Sequence, residues 1–353
     1  MGLSYGDKGA GSTTPMMSFS RRAVLLAPLL AGACAKSVVM EVSGDGMDLE
    51  QLAREVGAAA KRAAPGVLGV AITDLGNADV WLHNGDRPFP LDGAASLLIV
   101  AAVLDEAASG RVKLGEPIVV RDVDLSPPPS PVSAAWPRRD RYRMEELLPL
   151  ALDGDRTACD LLMKRIGGPG VVTAWIQQKR LKGIRVDRYF RELEVERLGL
   201  PSFRADWRTE QAFTTAINAV SERRRNAAAE AYLGDPRDTA TPRAAMDFLV
   251  ALHNAELISR PATNQLLTLM RAKGHGANLL RAGLRRDADL AHASGVGRRD
   301  LGRTSAINDI GLYRQAGSQG LAVAVFLSGS PQPMDAQAAV IADVGRAALA
   351  SRG

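Results

Sequence analysis

From Asp48 to Ala63 the apolar positions fall at Leu49, Leu52, Val56 and Ala60, which is a helical spacing with Asp48 as its cap. Gly66 to Leu75 and Ala78 to His83 then read as two strands turned at Gly76-Asn77. The pattern changes again from Phe89 to Gly110, where Leu97 to Leu104 run without a charge. A helix that is apolar all round belongs in an interior, so this stretch predicts one long central helix, capped by Asp92 and closed by Gly110.

Further on, Ser126 to Arg143 is proline-rich and predicts a surface connection with little regular structure, in which Trp136 packs or borders a binding site. Met144 to Leu152 and Thr157 to Ile166 predict helices separated by Asp153-Gly154-Asp155-Arg156, and Gly167-Gly168-Pro169 stops the second. Cys159 falls within that second helix as a small buried residue. Thr209 to Tyr232 predicts a solvated basic helix carrying Arg223, Arg224 and Arg225, and Phe248 to Leu257 and Thr263 to Met270 predict two more. Asp289 to Gly295, Ser305 to Tyr313 and Leu321 to Leu327 read as strands, and Pro331 to Ala350 as a closing helix.

Composition changes this picture little. The chain has 353 residues, of which 46% are hydrophobic and 24% charged, enough for two packed subdomains sharing a sizeable core. The net charge of +5 comes from arginines spread over many segments, without a basic tract interleaved with aromatics, which argues against nucleic acid as a partner.

Residues 1 to 47 read as targeting sequence and linker. Ser20-Arg21-Arg22-Ala23-Val24-Leu25-Leu26 followed by a short apolar core resembles a twin-arginine signal, too short to span a bilayer. Cys34 after Ala31-Gly32-Ala33 resembles a lipidation site, although Ala31 stands where leucine is usual, and cleavage nearby remains the alternative. The expectation is export to the periplasm, with membrane attachment through a lipidated Cys34, which leaves Cys159 without an internal partner.

The segment Phe89 to Gly110 with the residues after it resembles the buried helix of class A β-lactamases and related serine hydrolases, which carries the nucleophile in S-x-x-K. In this register the chain reads Gly93, Ala94, Ala95, Ser96, so glycine stands at the nucleophile position and serine at the lysine position. Ala151 to Gly170 resembles the second motif region, S-D-N and the helix after it, with Gly154, Asp155 and Arg156 at the three places. Gly183 to Leu193 and Asp235 to Met246 resemble the two ends of the Ω loop. The resemblance implies an ion pair of Arg188 with Asp238 closing that loop, and places the general base at Phe190, or at Glu192 after a shift of two. Ala293, Ser294 and Gly295 resemble the K-T-G strand without its lysine.

The resemblance implies a serine β-lactamase or penicillin-binding-protein-like fold, α/β plus all-α, with an antiparallel sheet flanked by helices. Residues 48–90 and 245–353 form the α/β part, and 91–244 the helical part with an expanded Ω loop, its insertion near 196–234. Acyl transfer needs an activated nucleophile, a base and oxyanion donors, and Gly93, Ser96, Gly154, Phe190 and Ala293 lack the expected groups. What the resemblance leaves at the cleft is the Gly93 and Val296 N–H pair, Ser294, and Arg156, either as an anion ligand or paired to Asp92 or Asp155 as an internal plug. Ser96 is expected to bond a helix carbonyl, and His292, its only nearby base, to point away from a cleft that Ala293 faces. The chain is thus expected to be an exported pseudoenzyme that binds a peptidoglycan fragment, a β-lactam or another small anion, or an envelope protein, through the cleft or the inserted basic helix. The alternatives are a β-lactamase-type serine hydrolase with residual or rerouted activity and a purely structural envelope protein with a self-filled cleft. No cofactor and no metal enter this reading.

Overall fold

The computed structural model describes residues 46–272, 274, 276–314 and 320–352; the stretch expected to be a signal, Cys34 and most of the expected linker lie outside them. The described residues belong to one compact unit, 42–353. Five antiparallel strands form its sheet: β1 Val67–Asp74, β2 Val80–His83, β3 Asp289–Val296, β4 Arg303–Arg314 and β5 Leu321–Ser330, in the order β2-β1-β5-β4-β3. A short sixth segment, Arg299–Asp300, folds back on β4. Strands from the two ends of the chain therefore lie side by side, Val67 opposite Ser328 and Asp74 opposite Leu321.

One face of the sheet packs on helix α1, Leu49–Ala63, and on the C-terminal helix Met334–Ala350, through Leu52, Val56, Leu68, Val70, Ile341 and Val344. Asp48 caps α1 by accepting from the Gln51 N–H at 2.8 Å, and basic Lys61 and Arg62 lie in its last turn, as the helix dipole favours. The other face meets the helical part, and its core is continuous from Phe89, Ala293 and Phe326 to Leu97–Leu104 of the central helix. That helix is buried from Ala95 to Leu104, so its uniform apolar surface is satisfied on all sides.

The central segment begins differently from its pattern. Phe89–Pro90 forms a two-residue ladder with Thr239–Ala240, Asp92–Ala94 is one 3-10 turn, and the central helix, α2, runs Ala95–Ala108. The proline-rich stretch is also more ordered than its composition suggests. A helical turn, Pro131–Ala135, starts on a Ser130 cap, and Arg141–Arg143 pairs with Pro117–Val119. The inserted helix divides in two, α3 Glu210–Asn218 and α4 Glu222–Gly234, because Ser221 breaks the run and caps the second through the Arg224 N–H. Of its three arginines Arg225 is buried and paired with Asp300, so this helix is not solvated all round.

Candidate functional site

The cleft lies where the start of the central helix, the edge strand β3 and the Ω-loop helix Phe190–Glu196 meet. It encloses about 230 Å³, lined among others by Asp92, Gly93, Asp155, Arg156, Phe190, Ser294, Gly295 and Val296. None of the described lining residues is a lysine.

Gly93 sits directly against the strand. A Cβ on it would lie 3.0 Å from Gly295 Cα and 3.4 Å from the Ser294 carbonyl, and one on Gly295 would lie 2.5 Å from Ala94 N and 2.6 Å from Gly93 N. Two glycines therefore let helix and strand approach to backbone contact, and the place that a nucleophile side chain would take is tightly confined. The Gly93 N–H is not open to an oxyanion either, since it donates to its neighbour Asp92 Oδ1 at 2.8 Å. Val296 pairs opposite Ile307 at the end of β3.

Asp92 is not the N-cap its position suggests. It adopts a left-handed backbone, φ 44°, and turns its carboxylate inward, where Oδ2 has no hydrogen-bond partner and lies 4.0 Å from Arg197 Nη1. Burial pushes its pKa up against the pull of Arg197. Asp155 does act as a cap, for the helix Arg156–Arg165: it accepts from the Ala158 N–H and also ties in the Ser130 hydroxyl and the Val132 N–H.

Arg156 finds neither of its expected partners. Its guanidinium reaches Glu194 Oε1 at 3.1 Å and donates to the Pro128 carbonyl at 3.1 Å. Arg197 grips the other oxygen of Glu194 at 2.7 Å and donates to Ser305 Oγ at 2.5 Å. Glu194 is fully buried between the two arginines. Burial works to raise its pKa, and Arg156 and Arg197 outweigh it, holding the carboxyl below the ordinary glutamate value. The partner of Arg156 is thus a carboxylate from the Ω-loop helix, and it consumes the cation expected to bind an anion. Pattern reading overlooked Glu194 and Arg197, although the signal was present: Glu194 is one helical turn beyond Phe190 and shares its face. Glu192, the alternative weighed for that role, is exposed and accepts from the Tyr189 N–H at the helix start.

Phe190 is buried as the first residue of its helix, and its N–H donates to Asp160 Oδ1 at 2.7 Å. Ser96 is buried with no hydrogen-bond partner for its hydroxyl, so it makes no bond to a helix carbonyl. Ala293 is buried in the core shared with the central helix, while His292 pairs through Nδ1 with Asp309 at 2.8 Å. Ser294 and Gly295 follow along the cleft wall, and Gly154 turns with φ 89° at its rim. Cys159 also borders the cleft, but burial raises its thiol well above the usual range, which disfavours a thiolate. Trp136 is partly buried against the core with Arg208 over its ring at 5.7 Å, and does not line the cleft.

The Ω loop is stapled. Arg188 Nε lies 2.6 Å from Asp238 Oδ2, whose other oxygen accepts from the Asp187 and Arg188 N–H groups, and Glu196 and Asp235 complete the cluster on Arg188.

This arrangement matches known proteins. The profile of the β-lactamase enzyme family matches residues 50–351. The chain belongs to that family. Its relatives include β-lactamase L2 of Stenotrophomonas maltophilia, 27% identical over 94% of this chain and 96% of the relative, and β-lactamase VEB-1 of Pseudomonas aeruginosa, 23% identical over 79% and 83%. An ancestral class A β-lactamase structure superposes with a TM-score of 0.68 at 28% identity, over 85% of this chain and 99% of that one. The antiparallel sheet flanked by helices is therefore the class A β-lactamase fold, and among the described residues no helix is long and apolar enough to cross a membrane.

Within this family fold one buried acid gives the Ω loop a pH dependence. Burial raises Asp160 to about 7, against the donors Ser126, Arg191 and Phe190. Its folded pKa stands above the value of about 3.9 in an unfolded chain. The resulting contribution to stability is fully present below that lower value and is lost as pH rises through about 7. The Phe190 and Arg191 amide resonances, both donors to Asp160, are expected to titrate with a midpoint near 7, and Asp160→Asn to remove that step. Resonances flat between pH 5 and 9 would refute the assignment.

Proposed function

We propose that this chain is an exported, non-hydrolytic member of the β-lactamase family, a pseudoenzyme that acts by binding a cell-envelope ligand or partner. The observation that carries this reading is the close approach of Gly93 to Gly295, where a side chain at the position assigned to the nucleophile would meet Gly295 Cα at 3.0 Å and could enter only if the strand gave way. Three further features support it. Ser96 is sealed in the core, Phe190 offers no proton acceptor, and Glu194, the buried carboxylate on the same helix as Phe190, is committed to Arg156 and Arg197. A general base must reach the proton it removes, and a carboxylate clamped by two guanidiniums is a poor one. Export rests on the twin-arginine-like segment and Cys34.

Because Arg156 is already paired with Glu194, the reading favours recognition of a peptidoglycan fragment or an envelope protein by surfaces around the cleft and the inserted helices. Incubating the mature domain with a penicillin and weighing it intact, alongside hydrolysis of a chromogenic cephalosporin, tests the central claim. No adduct and no turnover are expected. A covalent adduct mapped to Ser96 or Ser294 would overturn the proposal and establish a rerouted serine hydrolase.

A further inference from the structure

Another cavity, about 280 Å³, is formed where the inserted helix α4 meets the end of the sheet, and it shares no lining residue with the cleft. Its walls include Val67 at the start of β1, Ser328 and Gly329 at the end of β5, and Leu233 of α4. Gly329 adopts φ 67°, and a Cβ on it would lie 3.3 Å from Leu233 Cδ1, so a glycine lets the insertion seat closely on the sheet. Pro65 and Pro331 complete the apolar part of the lining. The volume suits a small organic molecule.

The charged lining residues are Arg87 and Arg303, with no carboxylate among them. The Arg87 guanidinium stands over the Phe89 ring, 5.7 Å from its centroid, and has no carboxylate partner among the described residues. Its chain neighbour Asp86 is held by Arg243 instead. Arg303 gives Nη1 to Glu230, whose side chain is 66% exposed, and its Nε and Nη2 meet no acceptor among the described residues. Beside the cavity, Arg299 donates to the Pro331 and Gln332 carbonyls at 2.8 and 2.7 Å and likewise has no carboxylate among the described residues. Three guanidiniums against the one carboxylate of Glu230 leave two positive charges unmatched. Ser328 adds a hydroxyl without a hydrogen-bond partner among the described residues.

We propose that this cavity binds a small phosphomonoester, with its phosphoryl oxygens at Arg87 and Arg303 and its organic group against Val67, Leu233 and the two prolines. A phosphomonoester carries about −1.5 to −2 charges and three acceptor oxygens at pH 7, which matches the unpaired guanidiniums and the hydroxyl, whereas a carboxylate brings a single charge. Guanidinium groups pair with phosphate through parallel N–H donors. The site goes beyond the reading of the cleft, and its occupancy does not depend on whether the cleft hydrolyses anything.

Titration calorimetry of the folded protein with phenyl phosphate, benzoate and benzyl alcohol tests this. Phenyl phosphate should bind at least about tenfold more tightly than benzoate, a difference of about 1.4 kcal/mol, and benzyl alcohol should bind more weakly than either. Arg87→Gln should lower the affinity for phenyl phosphate about tenfold and leave the melting temperature unchanged, because Arg87 is exposed. Arg223→Gln, on an exposed arginine of the same inserted helix outside the lining, should change neither. Equal weakening by the two substitutions would reduce the effect to general surface charge and overturn the proposal. Benzoate binding as tightly as phenyl phosphate, phenyl phosphate binding untouched by Arg87→Gln, or no binding of phenyl phosphate would each overturn it as well. So would binding to phosphatidic acid vesicles without binding of the free ester, which would make the patch a membrane contact.

Discussion

Glu194→Ala is expected to lower the stability of the protein by about 3–5 kcal/mol, the usual cost of leaving buried charges without their partner. The residue is fully buried, with Arg156 on one oxygen at 3.1 Å and Arg197 on the other at 2.7 Å. Removing it leaves two guanidiniums facing a hole shaped like a carboxylate. Formate or acetate should therefore restore part of the lost stability, and chloride at equal ionic strength should not. Thermal melts in the three salts check this, with Glu194→Gln falling between wild type and alanine because it keeps the shape and loses the charge. An alanine variant as stable as wild type would show that the buried pair contributes nothing.

The same group sets a pH dependence of opposite sign to that of Asp160. Its folded pKa is depressed by the two arginines, once they outweigh burial. The stability it contributes is present above the unfolded glutamate value of about 4.3 and is lost as pH falls through the lower folded value. Asp92, raised by burial, works against it in acid. Glu194→Gln should therefore flatten the acid limb of the stability curve and leave the change near pH 7 intact.

Gly295→Ala is the second large effect. The added methyl would lie 2.5 Å from Ala94 N and 2.6 Å from Gly93 N, and both are backbone atoms that cannot rotate away. Strand β3 and the 3-10 turn at Asp92–Ala94 would have to separate. Overpacking of this kind costs about 1–3 kcal/mol, and more where only backbone can yield. The midpoint of urea unfolding should fall, and hydrogen exchange at the first turn of the central helix should accelerate. Gly93→Ser meets the same wall from the other side at 3.0 Å. It should introduce a serine without producing turnover of a chromogenic cephalosporin. Measurable hydrolysis by that variant would mean that the seam opens readily and that the missing hydroxyl alone had silenced the cleft.

Local patterns in the chain already specified the architecture. The uncharged run from Leu97 to Leu104 can only be a buried helix, the alternations at Gly66–Leu75, Asp289–Gly295, Ser305–Tyr313 and Leu321–Leu327 all became strands, and Asp48 became a cap. Such features depend on neighbours a few residues apart, where the periods of helix and strand leave few choices. The meeting of Arg188 with Asp238 followed from motif resemblance, and the structure brings the two together at 2.6 Å. The break of the inserted helix at Ser221 was also written locally, in a capping residue that the count of basic positions obscured.

The fate of the cleft was a different matter. Arg156 could have faced Asp92, Asp155 or a ligand, and only the packing of the Phe190–Glu196 helix delivered Glu194 to it, 38 residues away in the chain. The same packing placed Arg197 between Glu194 and Asp92. A buried charge must take whichever partner the fold brings within a few ångströms, because the alternative is an unpaired ion out of water. That choice is made by long-range approach, which periodicity does not encode. Residue identities along the chain thus determine the family fold and the absence of hydroxyl, amine and carboxylate at Gly93, Ala293 and Phe190, while the pairing of the cleft's arginine with a glutamate from the neighbouring helix is decided by tertiary contact alone.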